Sequence, residues 1–176
     1  MHSAFERLYE TYHQDLFQFL FYLVKNREHA EDLSQEVYVR VLKNYSSFEG
    51  KSSEKTWLFS IAKHVAIDFF RKQSTRKKRI LSIFDSQEVD VKDENPLPEE
   101  VLLQNEDIQL MYRCLDRCKV EQKMVLLLRF LQSMSISETA ASLGWTESKV
   151  KTTQHRAMKT LRMEMEAAKE KEGDTA

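Results

Sequence analysis

Hydrophobic residues recur every three or four positions along most of this chain, which is the period of an α-helix. Three such stretches cover residues 3–24, 29–45 and 54–72, with a polar loop around Gly50 before the third. The positions that these stretches turn inward are Phe5, Leu8, Tyr9, Tyr12, Leu16, Phe19, Leu20 and Leu23, then Leu33, Val37, Val41 and Tyr45, then Trp57, Leu58, Ile61, Ala62, Val65 and Phe69. Their shared apolar surface predicts one small helical domain over residues 1–80.

The periodic pattern stops between residues 81 and 107. This stretch holds both prolines of the chain, Pro96 and Pro98, together with nine acidic residues and one basic residue. Prolines and like charges extend a chain, so the stretch is predicted to be an acidic linker. Helical periodicity then returns and predicts a second small domain over residues 108–170, followed by a frayed tail at 171–176.

Turn-forming residues are scarce, which excludes a strand-rich fold. Only 3 glycines and 2 prolines occur in 176 residues, whereas strands need turn residues at short intervals. The predicted class is therefore all-α, with two small helical domains joined by an acidic, proline-containing linker. The two cysteines, Cys114 and Cys118, have no histidine nearby to complete a metal site, and no metal or cofactor is predicted.

Charge is distributed unevenly along the chain although the net charge is only −1. Residues 1–80 carry 14 basic and 10 acidic residues, residues 81–107 carry 1 and 9, and residues 108–176 carry 12 and 9. Both flanking domains are thus basic, as nucleic-acid binding requires. The chain also lacks a long apolar run and a signal-peptide pattern, so we expect a cytoplasmic protein without membrane insertion.

The late domain contains the pattern of a helix-turn-helix. Ser135 and Glu138 form a capping box, Gly144 can end the first helix and Thr146 can cap the second. The second helix turns Val150, Ala157 and Leu161 inward, and its polar positions are candidates for reading duplex DNA: Ser148, Lys149, Lys151, Thr152, Thr153, His155, Arg156 and Lys159. The alternative is an ordinary amphipathic helix pair whose basic face is solvated.

The third helix and the loop before it form a second candidate for DNA binding. Basic and polar side chains alternate here with aromatic ones, as in proteins that bind single-stranded DNA. The candidates are Gly50, Lys51, Ser52 and Ser53 in the loop and Lys63, His64, Asp68 and Arg71 on the helix, beside Trp57, Phe59, Phe69 and Phe70. Spacing alone favours the alternative, in which the aromatic residues are core and the basic run is a solvated face.

Together these blocks resemble the extracytoplasmic-function group of bacterial sigma factors. AEDLSQEVYVRVLKN, from Ala30 to Asn44, is similar to the family's polymerase-docking helix, and TWLFSIAKHVAIDFFRK, from Thr56 to Lys72, to its strand-opening helix. SISETAASLGWTESKVKTTQHRAMKTL resembles its upstream-element reader. The resemblance implies polymerase contacts at Asp32, Gln35, Glu36, Val39 and Arg40, downstream ("minus ten") contacts at Gly50 to Ser53, Lys63, His64, Asp68 and Arg71, and upstream ("minus thirty-five") contacts on the late helix.

The resemblance implies a non-enzymatic promoter-specificity subunit rather than an enzyme. Its partners would be core RNA polymerase, promoter DNA as duplex and as melted non-template strand, and an anti-sigma factor, which in this family is often membrane-anchored. The alternative is a stand-alone helix-turn-helix regulator that binds an operator as a dimer. Thr153, His155 and His64 differ from residues common in the family, so the promoter sequence does not follow from the resemblance.

Overall fold

A computed structural model describes residues 3–83 and 99–175, and this described part is built of helices without a strand. The helices are α1 (Ala4–Val24), α2 (Arg27–Asn44), α3 (Glu54–Ile83), α4 (Glu99–Leu102), α5 (Glu106–Leu115), α6 (Val120–Leu126), α7 (Ile136–Leu143) and α8 (Glu147–Asp174). A 3₁₀ turn, Tyr45–Ser47, follows α2, and a π-helical turn, Leu127–Leu131, follows α6. The all-α prediction is confirmed, while residues 84–98 of the predicted linker lie outside the described residues.

Polar side chains begin most of these helices. Ser3 forms a capping box with Glu6 at the start of α1, and Asn26 accepts the backbone N–H of His29 at the start of α2. Asn105 begins α5 in the same way. These side chains satisfy backbone N–H groups that have no partner within the helix, which is why each helix begins at that residue.

Helices α1, α2 and α3 pack together as a first lobe. Leu8, Leu16, Phe19, Val37 and Val41 are fully buried between them, as their spacing predicts. Helix α3 buries a second set of residues, Phe59 and Ala66, that lies off its predicted apolar stripe. The prediction for Tyr9 is wrong in part, because its side chain is 44% exposed although its spacing turns it inward.

Helices α5 to α8 form a second lobe around their own cluster of buried side chains, Leu110, Cys114, Leu115, Cys118, Leu126, Ala157 and Leu161. Helix α8 extends to Asp174, whereas the sequence predicts a frayed tail at 171–176. Met165 and Ala168 pack against this cluster, and Lys169 forms a 3.2 Å ion pair with Asp107 at the start of α5. These contacts hold the last turns of α8 in helical form.

The two lobes are packed against each other rather than held apart. A single core cluster contains residues of both, among them Phe59 of α3 and Leu143 of α7. Polar bonds also cross the contact: the Ser142 hydroxyl donates to the Thr56 carbonyl at 3.1 Å, and the Gln132 amide donates to the Asp15 carbonyl at 3.0 Å. All of these donors are buried, so the contact is a true packed interface.

A cation–π contact and an ion pair complete this interface at the far end of α1. The Lys25 ammonium lies 2.5 Å from an Asp116 oxygen and 4.4 Å from the centre of the Tyr112 ring. Burial lowers the pKa of Lys25, while its hydrogen bond to the Asp116 carboxylate acts in the opposite direction. Lys25 of the first lobe thus bonds Asp116 and contacts Tyr112 of the second lobe.

Candidate nucleic-acid interface

Helices α7 and α8 form the helix-turn-helix that the sequence predicts. Ser135 and Glu138 cap α7 reciprocally, and Gly144 ends it at a φ of 68° while donating its N–H to the Ala140 carbonyl. The Thr146 hydroxyl accepts the Lys149 N–H at 3.1 Å and so begins α8. A residue with a side chain would be strained at the left-handed Gly144 position, so the tight turn depends on this glycine.

The outer face of α8 is a continuous polar surface. Val150 and Ala157 are fully buried and Leu161 nearly so. The exposed residues are Ser148, Lys149, Lys151, Thr152, His155, Arg156 and Lys159, whereas Thr153 is half-buried. The Lys149 ammonium lies 4.0 Å from the centre of the Trp145 ring. Seven of the eight predicted upstream-element residues are thus exposed together, with cations for phosphates and hydroxyl and imidazole groups for base edges.

The loop before α3 combines exposed backbone with side chains that already have structural roles. Gly50 is exposed at a φ of 71°, and Lys51 forms a 2.5 Å ion pair with Glu49. The Ser53 hydroxyl accepts the Thr56 N–H at 3.1 Å and donates to the Thr56 hydroxyl at 2.9 Å. Ser53 therefore caps α3, while Ser52 is half-buried beside it.

The predicted downstream residues on α3 divide into an exposed group and a covered residue. His64 is exposed, and its Nδ1 lies 2.7 Å from the Ser60 carbonyl. A carbonyl only accepts, so Nδ1 is the donor in this hydrogen bond. Lys63 is instead half-buried, because its ammonium donates to the Leu143 carbonyl of α7 at 2.6 Å. Lys63 is thus already bonded to the C-terminal end of α7, the first helix of the helix-turn-helix.

Asp68 is bonded to the neighbouring helix α2, and Arg71 lies near Asp68 on their own helix. Asp68 accepts a 3.1 Å hydrogen bond from Arg40 of α2 and lies 4.0 Å from Arg71. Arg40 also bonds Glu36 at 2.8 Å. The hydrogen bond to Asp68, together with Glu36, raises the pKa of Arg40. This chain of charges connects the predicted polymerase-docking face directly to the predicted DNA-binding face.

The aromatic residues near this face are mostly packing residues. Phe59 is fully buried, with its ring 5.3 Å from that of Phe19. Trp57 is half-buried against the rings of Tyr45 and Phe48. Phe69 and Phe70 are half-buried and meet edge to face. Phe59 is therefore unable to stack on a DNA base, and the core interpretation of Trp57 agrees with its packing.

Helix α2 presents the predicted polymerase-docking residues on an exposed face. Asp32, Gln35 and Glu36 are exposed, and Val39 is 48% exposed although it is apolar. Beside them lies an open apolar groove between α1 and α2, lined by Phe5, Tyr9, Gln35, Tyr38, Val39 and Leu42. Leu42 is 60% exposed and is a site residue that the sequence did not predict. The signal was present, since Val39 and Leu42 both lie off the inward stripe of α2.

The Tyr38 hydroxyl in this groove is buried and has no hydrogen-bond partner within residues 3–83 and 99–175. Burial of the ring raises the pKa of Tyr38 well above its usual range. A buried hydroxyl without a partner is costly. The groove thus offers apolar surface to an approaching molecule, while the Tyr38 hydroxyl is itself buried.

The chemical groups of the described chain do not form a metal site. Within the ranges given above, no three His, Cys, Asp or Glu side chains lie close enough together to hold an ion. Cys114 and Cys118 are buried, and burial raises the pKa of both thiols, which makes them poor nucleophiles. No described helix is both long and apolar enough to span a bilayer.

Comparison with known proteins gives a family to both lobes. The family model for Sigma-70 region 2 matches residues 8–76, and the model for Sigma-70, region 4 matches residues 108–161. The ECF RNA polymerase sigma factor SigX of Bacillus subtilis is 56% identical over 97% of this chain and 88% of its own length. RNA polymerase sigma factor YlaC of the same organism is 34% identical over 97% of this chain and 96% of its own length.

A solved structure has the same fold. It is the sigma factor RpoE in complex with the anti-sigma factor NepR from Bartonella quintana, with a TM-score of 0.73 and 22% identity, and it covers 92% of this chain and 96% of that one. The match spans both lobes, and the sequence matches extend over nearly the whole chain. The chain therefore belongs to the extracytoplasmic-function sigma factors, the subunits that direct RNA polymerase to promoters.

Proposed function

We propose that this chain acts in the cytoplasm as a non-enzymatic specificity subunit in which three surfaces divide the work. The outer face of α8 reads the upstream promoter element as duplex, the Gly50–Ser53 loop and α3 hold the downstream element, and α2 docks on core polymerase. The observation that carries this proposal is the exposed polar and basic face of α8, placed directly after a capped, glycine-ended turn. A helix presented in this way fits the major groove of duplex DNA.

Run-off transcription tests this proposal directly. Core polymerase, the purified chain and genomic DNA fragments are combined, and the 5′ ends of the products are sequenced. We expect discrete start sites that share two upstream sequence elements and that vanish without the chain. A failure to start from any fragment, together with a failure to co-migrate with core polymerase, would falsify the proposal.

The docking surface on α2 has two parts that suit one helical partner. Asp32 and Glu36 supply an acidic row one turn apart, and the groove beside them supplies apolar area with Val39 and Leu42. A basic amphipathic helix of the polymerase would cover both parts at once.

Glu36→Lys is expected to abolish binding to core polymerase, because it reverses the charge at the centre of the acidic row. Binding is measured by co-migration and by titration with labelled chain. Glu31→Lys is the matched control, since Glu31 lies on the same helix and is equally exposed but points away from the row. Equal affinities of both variants and the parent chain would contradict the docking assignment.

Arg156→Ala is expected to weaken recognition of the upstream element by about 1–3 kcal/mol if Arg156 reads a base edge. The loss is measured with the assembled holoenzyme on fragments that carry native or substituted upstream elements. Arg162→Ala serves as the control, because Arg162 is exposed on a later turn of α8. The same loss on every sequence would instead mean that Arg156 contacts a phosphate.

The lobes must separate before both elements are bound. Elements centred near minus ten and minus thirty-five lie roughly 85 Å apart along duplex DNA, at about 3.4 Å per base pair. In the packed arrangement α3 and α7 touch, and Lys63 of the downstream face is bonded to Leu143. The outer face of α8 stays exposed meanwhile. Packing therefore engages Lys63 of the downstream surface and leaves the upstream surface available.

We propose further that an anti-sigma protein controls the chain, because a structure of the same fold holds a sigma factor with such a protein. The test is to cross-link the chain in cells at its natural level and identify a stoichiometric partner. That partner, once purified, is expected to stop run-off transcription by the chain. A partner that leaves transcription unchanged would argue against control of this kind.

The rival function is a stand-alone regulator that binds an operator by itself. Such a protein binds its site with the same affinity with and without core polymerase. A subunit that gains its downstream contacts only on opening is expected to bind a promoter fragment weakly alone and tightly after core polymerase is added. Binding curves with and without core polymerase therefore separate the two.

A further inference from the structure

An aromatic ring lies beside the turn of the helix-turn-helix, at a position outside the predicted site residues. Trp145 follows Gly144 and directly precedes Thr146, the residue that caps α8. Its backbone N–H donates to the Ala140 carbonyl at 2.9 Å. Its side chain is half-buried and packs against the core cluster that the two lobes share. The ring is therefore fixed by packing while part of it stays at the surface.

The ammonium of Lys149 lies over this ring, 4.0 Å from its centre. A cation in this position is attracted by the negative face of the tryptophan ring. The backbone of Lys149 is held as well, because its N–H donates to the Thr146 hydroxyl at 3.1 Å. Both ends of this lysine are thus positioned, although the residue is exposed.

The contact with Trp145 directs the Lys149 side chain toward the turn. Side chains on a helix lean toward its N-terminus, and Trp145 lies before Glu147, the first residue of α8. In a bound helix-turn-helix the second helix lies in the major groove, while the first helix crosses the sugar–phosphate backbone. An ammonium that is held beside the turn between them is therefore close to the backbone rather than to the base edges.

The charge of Lys149 is available to a phosphate. No carboxylate within residues 3–83 and 99–175 pairs with its ammonium, and Glu147, two residues away, faces another direction on the helix. A ring face holds a cation without neutralising it. A free lysine side chain loses conformational freedom when it binds, whereas this side chain is ordered beforehand. Such preorganisation raises affinity.

We infer that Trp145 is a positioning residue whose ring holds the Lys149 ammonium for a phosphate at the edge of the upstream element. Lys149 then fixes how α8 sits on the duplex and carries no sequence information itself, as contacts to the DNA backbone do. The inference rests on the proposed function, since it assumes that α8 binds promoter duplex. It gives Trp145 a role in binding and assigns Lys149 to the backbone rather than to a base.

The first test removes the charge of Lys149 in the full chain assembled with core polymerase. Lys149→Met keeps the aliphatic stem, and promoter affinity is measured at several salt concentrations on fragments with a native or a substituted upstream element. The slope of log K against log salt is expected to fall in magnitude by about 0.9, the value for one phosphate contact, with the same fold-loss of affinity on both fragments. Lys171→Met is the control and is expected to keep the parent slope, because Lys171 is exposed near the end of α8.

The second test separates positioning from charge. Trp145→Leu keeps an apolar side chain for the core and leaves the Lys149 charge in place, but it removes the ring. The salt slope is expected to stay near that of the parent, while affinity falls about two- to tenfold, because Lys149 is then ordered only on binding. In a chain that already carries Lys149→Met, the same change is expected to have no further effect. Trp145→Phe, which retains a ring face, is expected to restore most of the affinity.

Fluorescence of the free chain checks the contact itself. Trp57 and Trp145 are the two tryptophans of the sequence, so Trp57→Phe leaves Trp145 as the single emitter. Lys149→Met is then expected to change the emission of Trp145, because the ammonium no longer lies over the ring, whereas Lys171→Met is expected to leave it unchanged. Circular dichroism of each variant shows that the helices are retained.

Three results would overturn the inference. If Trp145→Leu causes the same loss with and without Lys149→Met, the ring acts on the fold and not through Lys149. If the loss from Lys149→Met is confined to the native element, Lys149 reads a base. If Trp145→Leu binds more tightly than the parent, the ring withholds the ammonium from DNA. Failure of the parent holoenzyme to start transcription, or to prefer the native upstream element, would be seen in the unaltered protein and would count against the proposed function instead.

Discussion

The two halves of α3 differ in their surroundings. The first half lies between α1 and α2 on one side and α7 on the other, and its apolar side chains are buried on both. In the second half, residues 71–79 are all exposed, and most of them are cations. Packing of apolar side chains stabilises the first half, whereas the second half carries exposed positive charges. A single helix can therefore be central to the fold at one end and exposed to solvent at the other, and each end can be altered separately.

The largest effect is expected at Phe59, in the packed half. Phe59→Ala removes a fully buried ring that contacts Phe19 and sits in the core shared by the lobes. The free energy of unfolding is expected to fall by about 3–5 kcal/mol in urea denaturation. Phe130→Ala is the control, because this ring is 57% exposed, and about 1 kcal/mol or less is expected there. Equal losses would mean that the lobes do not pack as described.

A smaller effect is expected at Lys63, where the packed half meets α7. Lys63→Met keeps the aliphatic stem and removes the hydrogen bond to the Leu143 carbonyl. Hydrogen bonds from charged groups contribute about 1.5–3 kcal/mol. The open fraction, meaning the fraction of molecules whose lobes are separated, should therefore rise roughly 10- to 100-fold. Distances between spin labels on the two lobes measure this fraction. Lys77→Met makes the same chemical change in the exposed second half of α3 and is expected to leave the distances between the lobes unaltered.

The smallest effect is expected in the exposed second half of α3. Ser74→Gly weakens the helix locally, yet Ser74 is exposed and packs against nothing in the core, so the free energy of unfolding should change by less than about 0.5 kcal/mol. Hydrogen exchange of the amides around residue 74 should become faster. Ala62→Gly in the buried half should instead cost about 1 kcal/mol of global stability. A large global loss from Ser74→Gly would contradict the division of α3 into two halves.

The sequence predicted those parts of the fold that depend on local chemistry. The Ser135 and Glu138 capping box, the Gly144 turn and the Thr146 cap each need only residues within a few positions, and all three are present. The buried stripe of α8 follows equally from its period. The residue roles at the DNA and polymerase surfaces stay predictions, because exposure shows that a side chain is available and not what it binds.

The packing of the lobes was not predictable in the same way. Phe59 and Ala66 lie off the main stripe of α3, which indicates a second buried face but not the element that covers it. The extension of α3 to Ile83 was missed for another reason: the run from Arg71 to Arg79 has no apolar period, although Lys, Arg and Gln favour helix. Periodicity detects helices that are buried on one side, and residues 71–79 are exposed on every side.

In the packed molecule the Lys63 ammonium is bonded to the Leu143 carbonyl. In the proposed mechanism the same ammonium contacts the downstream element, so the two contacts compete. In the proposed mechanism only the open molecule can engage the downstream element, so its apparent dissociation constant is the intrinsic one divided by the open fraction. If about one molecule in a hundred were open, affinity would be about 100-fold weaker than the bare contacts allow. Whatever holds the molecule open then raises affinity by that factor without touching DNA. In this mechanism, selectivity for polymerase-bound protein follows from the packing of the lobes, to which the Lys63 bond contributes.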